Sequence, residues 1–495
     1  MKCAIIIEVS FAWLFLLFIL GFISMQGSKN HQDSLFVCVA MSDLVPADHL
    51  VRKLNKVVDL DWVRLATADY YSGMGRPSVD PVVIAKMLLL SFLVGIDSER
   101  ELLRQIQVNI AYRWYLGYSL EESVPNHSVL SKARRRFGKE FFERLFSEVL
   151  SSCRGAGLVD GDTILVDSTM IHANASMDSI KTYWRKLEDK TDDGIDSKST
   201  LGSKKSGSKL SQSRRSTTDP DATFINKPGQ RGIGYKANVA ADSANGVITA
   251  VTVSTAEVDD TAAVPELIEA NPDASTIVAD GLYGSHDCLE YLQERGLETV
   301  IKHRGGGNKH GKLAKSEFEY RSIDDCYICP QGATLKRTRT DRKKRKAIYS
   351  CSSDHCDVCS LRSQCIGERQ AGSVRQVTRY DTPYIERAEQ AVGTRRGRKL
   401  LTVRQTCIEG LFGQAKQWHG LARARWRGLE HVEIQALITT AVLNIKKLIK
   451  AAFNGGSRKI NTAAKYVANA VFGVILALCS IFSRENRCAA RLEIG

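Results

Sequence analysis

The sequence predicts an α/β protein with a mixed-sheet core, a helical N-terminal domain and an inserted cysteine-rich segment. Three observations support this prediction. Residues 43–150 carry apolar residues at helical spacing, short apolar runs typical of strands begin at Thr163, and six of the thirteen cysteines crowd between Cys326 and Cys365. Hydrophobic and charged contents of 43% and 25% are ordinary for a globular protein, so the 495 residues predict two or three domains.

The helical N-terminal domain is predicted to cover residues 25–160 and to bind DNA. A turn at residues 125–128 precedes a helix-prone stretch at 129–150 that carries an apolar stripe. Arg134 and Arg135 lie on that predicted helix, where they are candidates for a helix-turn-helix-like contact with DNA. A solvated basic helix face is the alternative.

The strand pattern that follows has the order of an RNase-H-like core, namely three strands, a helix, a strand, a helix and a strand. A turn at Asn245-Gly246 joins the second and third predicted strands into a hairpin. This domain is predicted to cover residues 161–450 and to hold two insertions. One is a segment at 176–231, rich in Ser, Lys, Gly and Thr, that is predicted to be flexible or to be ordered by DNA. The other is the cysteine-rich, zinc-ribbon-like segment at 318–370.

Two apolar runs lie near the ends of the chain. Residues 4–23 are long enough to span a bilayer, as a signal anchor does; the competing interpretation, which we favour, is that translation starts at Met25 and that residues 1–24 are a hydrophobic leader upstream of it. The run at 466–482 is shorter and predicts an apolar helix within a C-terminal tail, 451–495. We therefore expect no membrane association.

The chain is basic, with 69 Lys and Arg residues against 55 Asp and Glu residues and a net charge of +14. Because neutralising a phosphate releases counterions, this excess suits a polyanion such as DNA, although basic proteins also bind membranes or are merely soluble. The cysteines are odd in number and clustered, which disfavours a secreted disulfide framework. A reducing compartment and one local metal site are favoured instead.

Three acidic residues are candidates for catalysis. Asp167 and Asp280 end the first and fourth predicted strands, which are neighbours in an RNase-H-like sheet. Glu409 lies on a helix-prone stretch with Arg404, and Lys416 follows Glu409 by seven positions on the same helix face. Carboxylates hold the pair of hard cations, about 4 Å apart, that assist phosphodiester cleavage. The alternatives are turn-capping aspartates and a solvated helix face.

Five segments, in order along most of the chain, carry a resemblance to a known family: VDSTMIHANAS (166–176), DPDATF (219–224), GYKANVAAD (234–242), IVADGLYGS (277–285) and IEGLFGQAKQWHGLARARWRGL (408–429). They resemble DDE transposases of bacterial insertion sequences, in the branch with a cysteine cluster before the catalytic Glu. The resemblance implies that Asp167, Asp280 and Glu409 are the catalytic triad and bind two Mg²⁺ ions, with Mn²⁺ as a substitute. It also implies that Lys416 is the lysine found seven residues after the Glu.

The family's related signature places a tyrosine seven residues and an arginine four residues before the Glu. This chain has Thr402 and Gln405 at those positions, and Arg404 comes one position early. Arg404 is retained as a candidate DNA contact.

The resemblance predicts a transposase that cuts element ends and joins the freed 3′-hydroxyl to target DNA. Double-stranded DNA is the expected partner, a homodimer is expected in the DNA complex, and no small-molecule substrate is expected. The expected location is the cytoplasm, at the nucleoid. The alternative is a catalytically silent DNA-binding relic of a transposase.

The cysteine-rich segment resembles a zinc ribbon, in which four thiolates bind Zn²⁺ tetrahedrally. Two C-x-x-C pairs flank a basic arm at 334–350 that is suited to a hairpin facing DNA. The members of these pairs are the first choice of ligands. Because six cysteines exceed one four-ligand site, two are spare or the set is chosen differently, and a reduced cysteine-rich loop without metal is a further alternative. The four residues are Cys326, Cys329, Cys356 and Cys359.

Three arginines alternate just after the Glu409 helix, around Trp426. Arg423, Arg425 and Arg427 are predicted to contact phosphates at a DNA end, with the aromatic ring available for base stacking. An amphipathic surface strand is the alternative.

Overall fold

The computed structural model describes a defined part of the chain: residues 39–72, 74–75, 78–186, 210–227, 230–303, 313–341, 346–366, 373–380 and 383–454. The predicted leader 1–24 and the apolar run at 466–482 lie outside these ranges. The chain divides into an N-terminal unit that ends at Pro46 and a second unit that begins at Ala47. No helix in the described ranges is long and apolar enough to cross a membrane.

The helices are, in chain order, α1 (Met41–Leu44), which belongs to the first unit, and then, in the second unit, α2 (Leu50–Val57), α3 (Trp62–Thr67), α4 (Pro81–Leu93), α5 (Glu99–Val108), α6 (Ile110–Leu116), α7 (Ser128–Gly155), α8 (Val264–Glu269), α9 (His286–Glu294), α10 (Ser353–Asp357), α11 (Arg362–Cys365), α12 (Tyr384–Gly393), α13 (Arg395–Trp418) and α14 (Leu429–Asn454).

The strands are β1 (Thr163–His172), β2 (Ile180–Lys186), β3 (Leu210–Ser216), β4 (Thr223–Lys227), β5 (Gln230–Asp242), β6 (Ile248–Thr255), β7 (Thr276–Ala279), β8 (Glu298–Ile301), β9 (Glu319–Arg321), β10 (Cys326–Ile328), β11 (Thr334–Asp341), β12 (Lys346–Ser350) and β13 (Gln376–Tyr380).

The predicted helical N-terminal region is confirmed, and local sequence explains where its helices begin. Asp80 accepts a hydrogen bond from the backbone N–H of Val82 at 2.8 Å, and Pro81 follows as the first residue of α4. Ser98 accepts from the N–H of Glu101 and starts α5 in the same way. Helix α14, near the end of the described chain, packs against α2, α4 and α7, so the helical region and the sheet domain share one long helix.

The main sheet has the predicted RNase-H-like order, β6–β5–β1–β7–β8. Strands β6, β5 and β1 pair antiparallel, whereas β1, β7 and β8 are parallel. Helix α9 connects β7 to β8, and α8 leads from β6 into β7, since parallel pairing requires a crossover. A core of apolar residues from these strands packs against α8, α9 and α12 on one face.

The polar segment at 176–231 was predicted to be flexible, and the structure corrects this for the residues it describes. They form β2, β3 and β4, which extend the main sheet. The physical reason is that β5 is 13 residues long and projects beyond β1, so its first residues offer an edge that β4 pairs with. Residues 187–209 lie outside the described ranges.

The cysteine-rich segment forms a second, antiparallel sheet of order β13–β12–β11–β10–β9. The predicted basic hairpin is present as β11 and β12, although residues 342–345 lie outside the described ranges. A small apolar core supports this sheet: Phe318, Tyr327, Leu335, Ala347, Tyr349 and Val377.

Candidate active site

Asp167 and Asp280 lie side by side on neighbouring strands. Leu165 of β1 pairs with Val278 of β7, so two residues further on, Asp167 within β1 and Asp280, the first residue after β7, follow in matching register. Alternate residues of a strand point to opposite faces, and the residues before both aspartates belong to the apolar core. Both carboxylates therefore lie on the other face of the sheet.

Each aspartate also accepts a backbone hydrogen bond of the kind found in turns, as expected for the turn-capping role that was the alternative to catalysis. Asp167 accepts from the N–H of Ser168 at 2.8 Å, and Asp280 accepts from the N–H of Leu282 at 2.7 Å. These bonds restrict the two carboxylates to the positions they occupy. The capping role and a role in binding cations are thus compatible.

Asp167 is paired with an arginine from helix α13. The Nη2 atom of Arg404 lies 2.6 Å from Oδ2 of Asp167, and the Asp167 side chain is 20% exposed. Burial is the main cause that raises the pKa of Asp167 to about 6; Arg404 opposes it, and the carboxylates of Asp280 and Asp260 contribute smaller raising effects. The site therefore concentrates negative charge and already binds one cationic group.

A buried ion pair that the sequence analysis missed lies close to these carboxylates. Lys236 of β5 pairs with Asp260, and both side chains are almost fully buried. Asp260 acts electrostatically on Asp167 and on the buried Tyr283, whose pKa is raised mainly by burial. The GYKANVAAD motif that contains Lys236 was the available signal, but its buried partner lies 24 positions away.

Helix α13 brings Glu409 to the same face of the sheet without joining it to the aspartates. The helix packs against β1, β7 and β8. Five residues separate Arg404 from Glu409, about 7.5 Å along the helix axis, and Glu409 is exposed, whereas Lys416 is half-buried. Within the described ranges no group of three or more His, Cys, Asp or Glu residues is arranged to hold a metal ion. The structure thus unites two members of the predicted triad.

The donor set at this face fits a divalent cation such as Mg²⁺. Its carboxylate oxygens are hard ligands, which Mg²⁺ prefers. The Asp167 carboxylate pairs with a guanidinium, and burial disfavours its unpaired charge, so a second cation is electrostatically suited to the place.

Two of the predicted DNA contacts are buried arginine side chains that form ion pairs within the protein, one with the mostly buried Glu99 and one with the exposed Asp97. Arg134 is 6% exposed and its Nη1 lies 2.5 Å from Oε1 of Glu99. Arg425 is 7% exposed and its Nη2 lies 2.7 Å from Oδ1 of Asp97. Burial is the main cause that lowers the pKa of both arginines. We therefore withdraw the DNA-binding assignment of Arg134 and Arg425; their acidic partners are distant in sequence, so spacing alone does not reveal them.

Trp426 is likewise part of the packing. The guanidinium of Arg134 lies 3.6 Å from the centre of the Trp426 ring, and the Phe92 ring lies 6.1 Å from it. Trp426 is half-buried and contacts both groups, and its role in base stacking stays a prediction.

The remaining predicted arginines, Arg135, Arg423 and Arg427, are exposed. The last two belong to residues 420–428, which we call the arginine segment. This segment runs parallel to the end of β1, where it forms a bridge between Arg423 and His172. The Nε of Arg427 donates to the carbonyl of Asn174 at 3.2 Å. These arginines thus lie near the strand that carries Asp167.

A half-open cavity of about 400 Å³ lies between the cysteine-rich sheet and the short helices α10 and α11, and five thiols are among its lining groups. All six cysteines of this region are free thiols. Sγ of Cys351 lies 3.0 Å from Sγ of Cys356. The pKa of Cys351 is raised to about 12, mainly by burial and secondly by this contact. The N–H of Ala333 donates to Sγ of Cys329 at 3.2 Å. The thiols at the cavity are Cys329, Cys351, Cys356, Cys359 and Cys365.

One predicted zinc ligand, Cys326, does not line the cavity. Cys326 is buried within β10, where it pairs with Arg321 and Lys336, and it is not among the lining residues. Cys365, at the end of α11, lines the cavity although the sequence analysis passed over it. The reason is that the C-x-x-C spacing does not show where the strand ends: Cys326 lies within β10, whereas Cys329 is the first residue after it.

Two regions of the chain match sequence families. Residues 39–136 match a transposase domain (DUF772) and residues 328–449 match a transposase DDE domain. No curated protein matches the chain. The second match contains the thiols of the cavity, helix α13 with Glu409, and the arginine segment. Together with the RNase-H-like sheet, these two matches support a DDE transposase of an insertion element.

Proposed function

We propose that this protein cuts the ends of its insertion element and joins the freed 3′-hydroxyl to target DNA. The observation that carries the proposal is the pair of carboxylates, Asp167 in β1 and Asp280 just after β7, in matching register on the face covered by α13. Glu409, exposed on the same helix, is proposed as the third ligand. Metal-assisted phosphodiester chemistry needs hard oxygen donors, which this face supplies.

The proposed roles follow from position and charge. Two Mg²⁺ ions, or Mn²⁺ in their place, supply activation of the attacking oxygen and stabilisation of the leaving oxygen when bound. Asp280 is held by its bond from Leu282, and Arg404 holds Asp167 and provides positive charge for a phosphate. Lys416 follows Glu409 by two helical turns and is proposed as a second phosphate contact. The attacking group is a water or a DNA hydroxyl, so no nucleophilic side chain is needed.

A structural Zn²⁺ site is proposed in the cysteine-rich sheet, with a revised set of ligands. The cavity lining supports Cys329, Cys356, Cys359 and Cys365, with Cys351 beside them. The hydrogen bond from the N–H of Ala333 holds the sulfur of Cys329 in place at the cavity. Thiolates are the ligands that Zn²⁺ takes in structural sites.

DNA is proposed to contact Arg135, Arg423, Arg427, Arg404 and Lys416. A homodimer in the DNA complex is proposed because the two ends of an element must be brought together. The proposed place of action is the cytoplasm, at the nucleoid, where the element's DNA lies.

The test is a nicking assay on a plasmid that carries the element's ends, with and without Mg²⁺. The wild type is expected to nick only with the metal. The Asp280→Ala variant is expected to lose nicking and strand transfer while it still binds end DNA, because the substitution removes a metal ligand and leaves the basic surface unchanged. Retained nicking by this variant would remove Asp280 from the active site, and an inactive wild type would favour the silent relic.

A further inference from the structure

One edge of β1 is shared by two segments with Asp167 between them. Strand β5 pairs along the other edge of β1. On the shared edge, β7 pairs with residues 163–165, and the arginine segment pairs at His172. The His172 N–H donates to the carbonyl of Ala422 at 3.0 Å, and the Ala424 N–H donates to the carbonyl of His172 at 2.7 Å. Among the described strands, none pairs with residues 166–171 on this edge.

The backbone of the arginine segment is held on both sides. Gln435 of α14 donates through Nε2 to the carbonyls of Gly420 and Arg423, at 2.7 and 2.9 Å, and accepts from the N–H of Arg425 at 2.8 Å. Asn174, just beyond β1, donates to the carbonyl of Arg425 at 3.1 Å. With the Arg425 side chain buried against Asp97, the segment has a defined conformation and presents its exposed arginines outward.

Two aspartates of the DPDATF motif hold the end of this segment. Asp219 is fully buried; its Oδ1 accepts from the hydroxyl of Tyr235 at 2.6 Å and from the N–H of Gly428 at 3.1 Å. Oδ2 of Asp221 accepts from the N–H of Leu429, the first residue of α14, at 3.0 Å. Carboxylates at a helix N-terminus are favoured by the helix dipole. The motif therefore ties the β3–β4 turn to the point where the arginine segment enters α14.

We propose that Asp219 and Asp221 are positioning residues that fix the arginine segment on the open edge of β1, and that Arg423 and Arg427 there bind backbone phosphates of the DNA end. This inference rests on the proposed function, since it takes Asp167 as the place of cleavage. Five residues of extended strand separate Asp167 from His172, about 17 Å. At a rise of about 3.4 Å per nucleotide of one strand, the phosphates concerned lie within about five nucleotides of the one that is cut.

The test measures binding of a fluorescein-labelled duplex that carries the terminal sequence flanking the gene, in EDTA, over a range of salt. Each phosphate contact contributes about 0.9 to the slope of log affinity against log salt, so Arg423→Ala with Arg427→Ala is expected to reduce the slope by about 1.8. Between 50 and 200 mM salt the wild type then loses about tenfold more affinity than this variant. The matched control is Arg295→Ala with Arg395→Ala, two exposed arginines near the amino ends of β8 and β7, which is expected to keep the wild-type slope.

The positioning role is tested with Asp221→Ala, a substitution at an exposed position, made in the wild type and in the Arg423→Ala, Arg427→Ala double variant. It is expected to weaken end binding in the wild type and to have no further effect when Arg423 and Arg427 are already alanine. A variant that merely loosened the fold would weaken both equally, and this result would overturn the role of Asp221. Asp219→Asn retains an acceptor but loses the charge that strengthens both bonds, so it is expected to weaken end binding less than Asp221→Ala, with its melting temperature as the folding control.

An unchanged salt slope in the double arginine variant would overturn the DNA contact. Because all of these measurements are made without divalent metal, this failure is distinct from a failure of the proposed nuclease activity. A protein that binds ends through Arg423 and Arg427 but does not nick DNA with Mg²⁺ would retain the inference about binding and lose the one about catalysis.

Discussion

The main sheet and the cysteine-rich sheet both carry residues selected for metal chemistry, but they position them in different ways. In the main sheet, strand pairing alone puts Asp167 beside Asp280, because β1 and β7 are parallel neighbours in register. In the cysteine-rich sheet, the cavity is lined by thiols from a turn, the end of a strand and two short helices. Strand order therefore predicts the first site, while the second depends on which side chains face the cavity.

The largest expected effect tests the second half of this comparison. Cys365→Ser is expected to abolish bound Zn²⁺ and to unfold the cysteine-rich sheet, because structural zinc contributes directly to folding. Cys326→Ser, in the same sheet but inside β10, is expected to keep its metal. Elemental analysis of the purified variants, with the thiolate absorption of the cobalt-substituted protein, measures both. Loss of zinc from the Cys326 variant alone would restore the original ligand set, and a metal-free wild type would remove the site.

A smaller effect is expected where the main sheet meets the helical region. Arg134→Ala leaves the largely buried Glu99 without its partner and uncovers Trp426, so the free energy of unfolding is expected to fall by about 3 kcal/mol. Arg135→Ala, the adjacent exposed position, is expected to change it by less than about 0.5 kcal/mol. Urea denaturation compares the two. Equal effects would mean that the burial of Arg134 does not distinguish it from its neighbour.

The smallest effect concerns pH and Asp167. Because burial raises the pKa of this carboxyl to about 6, its protonated form favours the folded state, and this stabilisation is lost as pH rises through 6. The metal-free protein is therefore expected to lose about 1 kcal/mol from Asp167 between pH 5 and pH 7. Asp167→Asn, which has no titrating group, is expected to lack this component. Urea denaturation in EDTA at both pH values measures the difference, and identical pH responses would contradict the burial of the charge.

Several features of this protein follow from the sequence by itself. Apolar spacing and the alternation of strands and helices predicted the helical region and the RNase-H-like order, and both are confirmed. The neighbouring positions of Asp167 and Asp280 also follow from the sequence. Parallel strands run in the same direction, so residues near their carboxyl ends lie at the same end of the sheet. These predictions succeed because they depend on local hydrogen bonding and on chain order.

Other features were decided only by the tertiary structure. Arg134 and Arg425 lie in basic stretches of the kind that contacts DNA. Their side chains are nevertheless buried and form ion pairs with Glu99 and Asp97, which are distant in sequence. The DPDATF motif holds the arginine segment through Gly428, more than two hundred residues later. These assignments depend on which polar groups come into contact when distant segments pack. A buried charge is stable only when it is paired, and the spacing of residues along the chain does not show which distant residue pairs with it.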